Sequence, residues 1–188
     1  MPPGAVIGTS SLRRESQIRA RYPQLQVRAL RGNVETRLRK LDEGGYQAVV
    51  LAAAGLMRLG LQGRIRRLLS AEESVPAIGQ GALGIEFLRR REDLKPLLQP
   101  LCNSATTACI TAERAFGRRL GANCEVPLGA YAEIRQDAIT LTGLVAAIDA
   151  SAVLRTTATG AMEAAARIGA ECAEQLLQQG ADRLMVRQ

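Results

Sequence analysis

Histidine is absent from the 188 residues. That excludes a Ser-His-Asp triad, a Cys-His dyad and any His-ligated metal site built from these residues, and no metal centre is expected. Tryptophan is also absent and aromatics make up 3% of the chain. A core must therefore be packed from Leu, Ile, Val and Ala. The interleaved aromatics of base-stacking surfaces are missing, as are helix-turn-helix, zinc-finger and RNP patterns, so nucleic acid is not an expected partner. No apolar run approaches the roughly 18 residues of a membrane span, and no membrane association is expected. Met1-Pro2-Pro3-Gly4 lacks the basic and apolar regions of a secretory leader. With four cysteines and no dense cysteine pattern, a reduced, cytoplasmic protein is expected.

Lysine is nearly missing too. Lys40 and Lys95 are the two lysines among 25 Lys plus Arg, and the net charge is +7. The cationic excess is thus arginine, which pairs with carboxylate and phosphate in planar, bidentate fashion. A solvated basic surface is the plainer alternative for most of these positions.

What is present divides into two patterns. Residues 4–69 alternate short apolar runs with helical periodicity. Ala5–Ile7, Leu25–Leu30 and Ala48–Ala52 read as strands. Helices are expected after Ser11 to about Tyr22, over Val34–Leu41, around Leu56–Arg58, and from Gly60 to Leu69. This order predicts a parallel sheet with right-handed crossovers. Residues 74–82 are punctuated by Gly and Pro and read as a hinge. Leu83–Phe87 is strand-like, and Arg89–Asp93 begins a solvated helix.

From residue 104 onward, strands and helices segregate. Ser104 is the expected N-cap of a helix whose stripe is Ala108, Cys109, Ala112, Ala115, Phe116 and Leu120, with Gly121 as its stop. Strands are expected at about 126–135, 138–146 and 152–158, with Gln136-Asp137 turning the first hairpin. A helix runs from about Ala161 to Gln179, and Leu184–Val186 reads as a last strand. The fold class expected is an α/β parallel-sheet domain, periplasmic-binding-protein-like and incomplete. A small α+β domain with a three-stranded antiparallel sheet and helices follows it. The divisions fall at residues 1–75, 76–103 and 104–188.

In an open parallel sheet, ligands bind beyond the carboxyl ends of the strands, where helix N-termini point. Those ends carry Thr9, Ser10, Ser11, Arg13 and Arg14; then Arg31, Gly32, Asn33 and Arg37; then Ala52–Gly55 and Arg58. Arginine in a first helical turn is unfavourable for the helix itself, and a bound polyanion would compensate. Gly8-Thr9-Ser10-Ser11 lacks the Gly-Lys-Ser/Thr ending of a Walker A loop, so a small polycarboxylate or phosphate suits better than a nucleotide. Cys124 is set apart from Cys109 and Cys172, which fall on apolar helix faces. It stands in Gly121-Ala122-Asn123-Cys124-Glu125-Val126-Pro127, a turn-rich stretch where a thiol is reactive rather than packed.

Gly8–Arg14, Leu30–Leu38 and Pro76–Ala82 closely resemble the motifs of porphobilinogen deaminase. So do Thr111-Ala112-Glu113-Arg114 and Cys124–Gly129, and the five occur in the family's order and spacing. The resemblance implies a transferase of tetrapyrrole (haem) biosynthesis, hydroxymethylbilane synthase. Its substrate partners are porphobilinogen and the elongating polypyrrole. It implies a dipyrromethane cofactor held by a thioether to Cys124. Cofactor contacts fall on Thr9, Ser11, Arg13, Arg14, Arg31, Gly32 and Arg37. Substrate contacts fall on Arg13, Arg31, Arg37, Arg58, Gln80 and Gly81.

The resemblance also implies three domains, with this chain beginning inside the second. The family's catalytic aspartate then lies before Met1. Asp42, Asp93, Asp137 and Asp149 fall away from the strand ends and do not replace it. The expectation is that no catalytic residue lies in these 188 residues and that alone they are inactive. A non-catalytic organic-anion-binding fragment is the alternative. The whole family member is expected to be monomeric, and this stretch alone to self-associate through the strand-like segment near Leu83–Phe87.

Overall fold

The computed structural model describes residues 1–121, 126–147 and 149–185. The first unit runs β1 (Val6–Gly8), α1 (Leu12–Arg21), β2 (Gln26–Arg28), α2 (Val34–Asp42), β3 (Ala48–Val49) and α3 (Ala53–Arg58). β1 lies between β2 and β3 and is parallel to both, with Ile7 opposite Val27 and Ala48. Its central place explains why all three of its residues are buried. Both major helices start at side-chain caps. The Ser11 hydroxyl accepts the Arg14 N–H at 3.4 Å, and Asn33 Oδ1 accepts the Thr36 N–H at 2.8 Å.

α4 (Lys95–Leu98) and α5 (Ser104–Arg119) lead into the second unit. There β4 (Leu128–Arg135), β5 (Ala138–Ala146) and β6 (Val153–Ala161) form an antiparallel meander, followed by α6 (Ala165–Gln178) and α7 (Ala181–Met185). Gln136 and Asp137 have φ of 50° and 65°, the left-handed pair a two-residue hairpin requires. The two faces of β5 have different partners. Ile139, Leu141 and Val145 join Phe116, Ile168, Cys172 and Leu176 in the main core. Leu144 and Ala146 face the other way and pack with Val75. Val75 is fully buried and docks the first unit against the sheet. α5 and α6 cross closely because Gly169 has no side chain. A Cβ there would lie 2.2 Å from the Ala112 carbonyl oxygen.

The structure departs from the sequence expectations in several places. The helix expected from Gly60 to Leu69 is reduced to a single 3-10 turn, Gln62–Arg64. Leu68 and Leu69 are exposed, so the stripe has nothing to pack on, and a short helix without burial is marginal. Leu83–Phe87 forms no strand: among the described residues no neighbouring strand supplies a ladder, and Leu83 and Ile85 are exposed. β3 stops at Val49 and is half-buried, because it sits at the sheet edge and its partner β1 ends at Gly8. The cap of α5 is Asn103, one residue before Ser104, with Oδ1 accepting the Thr106 N–H at 2.8 Å. Leu184 and Met185 continue α7 instead of forming a strand, and both pack on the main core. Val186 lies outside the described residues.

Candidate functional site

The turn after β1 is closed by local hydrogen bonds. Thr9 is buried, and its Oγ1 accepts the Ser11 N–H at 3.2 Å. That turn delivers Arg13 and Arg14 into the first turn of α1. Arg13 is 8% exposed. One terminal nitrogen donates to the Val75 carbonyl, and the other donates to Gln80 Oε1 at 3.4 Å. Burial first, and the Arg14 charge second, lower its pKa to about 10. Arg14 donates to the Val50 carbonyl at 2.8 Å, at the end of β3. Its pKa is also lowered, by burial and then by Arg37. Arg37 itself donates through Nε to the Gly32 carbonyl at 2.7 Å. Gly32 holds φ of 122°, a conformation that favours glycine, and lets the chain turn into α2.

Arg13, Arg14 and Arg37 thus form a run of like charges across the strand ends. None of them forms a salt bridge among the described residues. A buried cation and a half-buried one that repel each other and lack a salt-bridging carboxylate are costly. An anionic ligand is the partner that would relieve them.

The other expected residues are less tightly gathered. Arg31 is exposed, and its carbonyl accepts from Lys40 Nζ at 3.2 Å. Arg58 is exposed and falls in the last turn of α3. It therefore suits its own helix dipole, unlike the arginines at helix starts. Gln80 and Gly81 are exposed on the hinge, and Gln80 reaches Arg13. Cys124 lies outside the described residues. The strand that follows it begins beside the arginines: a Cβ on Gly129 would sit 2.9 Å from the Pro76 carbonyl oxygen and 3.0 Å from Arg13 Cδ. Cys102, Cys109 and Cys172 are free thiols. Burial pushes Cys172 up to about 11 and also raises half-buried Cys109, so these two are poor nucleophiles.

Two residues have roles that the sequence reading did not assign. Glu113 is buried on α5, with Oε2 accepting the Gly79 N–H at 2.7 Å and Oε1 accepting the Ala132 N–H at 2.9 Å. Burial raises its pKa against the lowering effect of those two bonds. Gln17 is buried on α1 and bonds the Val75 peptide. Together with the Ala130 N–H, which donates to the Pro76 carbonyl at 3.2 Å, they fasten residues 75–79 to both units. Glu113 had one signal in the sequence, a charge flanked by the apolar stripe of α5. Gln17 had none.

A family model described as porphobilinogen deaminase, dipyromethane cofactor binding domain, matches residues 1–96. A second, porphobilinogen deaminase, C-terminal domain, matches residues 107–178. The porphobilinogen deaminase of Laribacter hongkongensis is 57% identical over 182 residues, covering 97% of this chain and 59% of the relative. That of Bordetella parapertussis is 57% identical over 185 residues, covering 98% and 59%. That of Neisseria meningitidis serogroup B is 56% identical over 185 residues, covering 98% and 60%. The chain therefore spans about three fifths of the length of these curated relatives.

Proposed function

The chain belongs to the porphobilinogen deaminase family, and from that membership we propose that it is the cofactor-holding part of a hydroxymethylbilane synthase. Four porphobilinogen units are joined head to tail with loss of ammonia, on a dipyrromethane primer fixed to Cys124. The observation that carries this reading is the run of buried Arg13 and half-buried Arg14 and Arg37, none of them in a salt bridge among the described residues. Each pyrrole ring of primer and substrate bears two carboxylates, which fit such a run. Each charge-assisted bond contributes roughly 1.5–3 kcal/mol. When bound, the primer supplies the growing end of the chain. The residues bind and orient it: Arg13, Arg14 and Arg37 at the carboxylates, Thr9, Ser11 and Gly32 at the turns, with Arg31, Arg58, Gln80 and Gly81 toward incoming substrate.

Cys124 stands five positions before Gly129. Gly129 is the residue whose Cα faces Arg13 Cδ. Cationic surroundings lower a thiol's pKa and favour the nucleophilic thiolate. The domain division is 1–75, 76–103 and 104–188, with the first part belonging to a periplasmic-binding-protein-like lobe. The parallel order β2-β1-β3 supports that assignment.

A narrower reading is favoured by one observation. Glu113 is the one buried carboxylate among the described residues, and both its oxygens are occupied by backbone N–H groups. These 188 residues on their own would then hold the pyrroles without turning them over. Intact mass and a synthesis assay separate the two. A thioether-linked dipyrromethane on the wild-type chain, absent from Cys124→Ser, supports the family role. Robust hydroxymethylbilane production by the 188 residues alone would overturn the binding-only reading. An unmodified wild-type chain that also ignores porphobilinogen would overturn both.

A further inference from the structure

Gln17 lies one helical turn after Arg13 on α1, so the two side chains share a face. Their head groups meet at the main chain of one residue, Val75. The Val75 N–H donates to Gln17 Oε1 at 2.7 Å, and Gln17 Nε2 donates to the Val75 carbonyl at 3.2 Å. Gln17 Nε2 also donates to the Arg13 carbonyl at 3.0 Å. The Arg13 guanidinium donates to the same Val75 carbonyl. A carbonyl oxygen offers two lone pairs, and here one goes to each side chain. The peptide cannot swing away, because the Val75 side chain is fully buried against Leu144 and Ala146. A residue that merely filled this space would be apolar. Gln17 instead uses both ends of its amide, in a buried position, on the residue whose carbonyl accepts from a buried cation.

We propose that Gln17 is the positioning residue for Arg13. It locks the Val75 peptide, and the fixed carbonyl sets the rotation of the guanidinium. The remaining donors of Arg13 are thereby held in one orientation for a carboxylate before that carboxylate arrives. Preorganised donors bind more tightly because they lose less freedom on binding. The proposal rests on the reading above, in which Arg13 receives a ligand carboxylate.

The test uses the 188-residue chain with 15N-labelled arginine side chains and porphobilinogen as the probe. Gln17→Met removes all three amide hydrogen bonds at similar volume. It is expected to weaken probe binding about tenfold and to turn a slowly exchanging Arg13 Nε–H signal into an averaged one. Gln17→Glu keeps an acceptor for the Val75 N–H and sets a carboxylate beside Arg13. It is expected to lower the melting temperature, since one carboxylate oxygen then faces the Arg13 and Val75 carbonyls, while binding falls tenfold or more. The Arg13 Nε–H signal is the readout that a purely structural role would not move. Wild-type affinity and an unchanged Arg13 signal in Gln17→Met overturn the proposal. If Gln17→Met fails to fold, Gln17→Glu decides: unaltered probe binding in that variant overturns it. If the wild-type chain does not bind the probe, the functional reading fails separately. The Arg13 signal in the variants then decides whether Gln17 sets its orientation.

Discussion

The carboxylate of Glu113 accepts the N–H of Gly79 at 2.7 Å, across 34 positions of sequence. Its other oxygen accepts the Ala132 N–H from β4. One side chain on α5 therefore ties the hinge to the sheet. Glu113→Ala leaves two N–H groups without their acceptor. The expected loss is about 2–4 kcal/mol in urea unfolding. Glu113→Gln costs less, since one oxygen remains, but its amide nitrogen meets an N–H donor to donor.

The same residue predicts a pH trend. Burial raises its folded pKa, so the folded state binds the extra proton. Its stabilising contribution is complete below the ordinary glutamate range and is lost as pH rises through the raised value. Unfolding free energy measured from pH 4 upward should show this downward step in the wild-type chain, and Glu113→Gln should lack it.

Arg13 predicts the opposite end of the scale. Its pKa is lowered to about 10, so it stays charged at neutral pH and loses its proton within reach of experiment. Affinity for a pyrrole dicarboxylate should be flat to about pH 9 and fall as pH passes about 10. Arg13→Gln should bind weakly throughout and show no such inflection. Calorimetric titration across that range checks it.

The β4–β5 turn offers a stabilising change. Gln136 and Asp137 both hold left-handed backbone, which Asn-Gly adopts at less cost. The double change Gln136→Asn, Asp137→Gly should stabilise the fold by about 0.5–1 kcal/mol, a rise of roughly 2–4 °C in melting temperature. An unchanged or lower value contradicts the turn assignment.

Gly169 offers a destabilising one. A methyl there would meet the Ala112 carbonyl oxygen at 2.2 Å and Ala115 Cβ at 2.8 Å. Backbone cannot yield as a side chain does, so Gly169→Ala should force α5 and α6 apart. A loss of about 3 kcal/mol is expected despite the higher helix propensity of alanine.

The sequence made the second unit legible because its buried faces are apolar. The stripe ending in Phe116 and Leu120, the hairpin at Gln136-Asp137 and the helix carrying Ile168, Cys172 and Leu176 all follow hydrophobic spacing. α1 hid its role for the reverse reason. Its buried residues are Arg13, Ser16 and Gln17, a polar face that hydrophobic periodicity does not detect. Leu83–Phe87 misled in the other direction, since β propensity describes a residue's fit to a pleated surface and not the presence of a partner strand. The arginines at the strand ends were legible as a group. Their division into buried Arg13, half-buried Arg14 and Arg37, and exposed Arg31 and Arg58 depends on three-dimensional packing.

The fastening of residues 75–79 has a mechanical consequence. Val75 is gripped from α1, Pro76 by β4 and Gly79 by α5. Gln80 is the next residue, and its side chain touches Arg13. A displacement of the stretch beyond Gly81 therefore reaches the Arg13 guanidinium through Gln80, one residue past the Gly79 anchor.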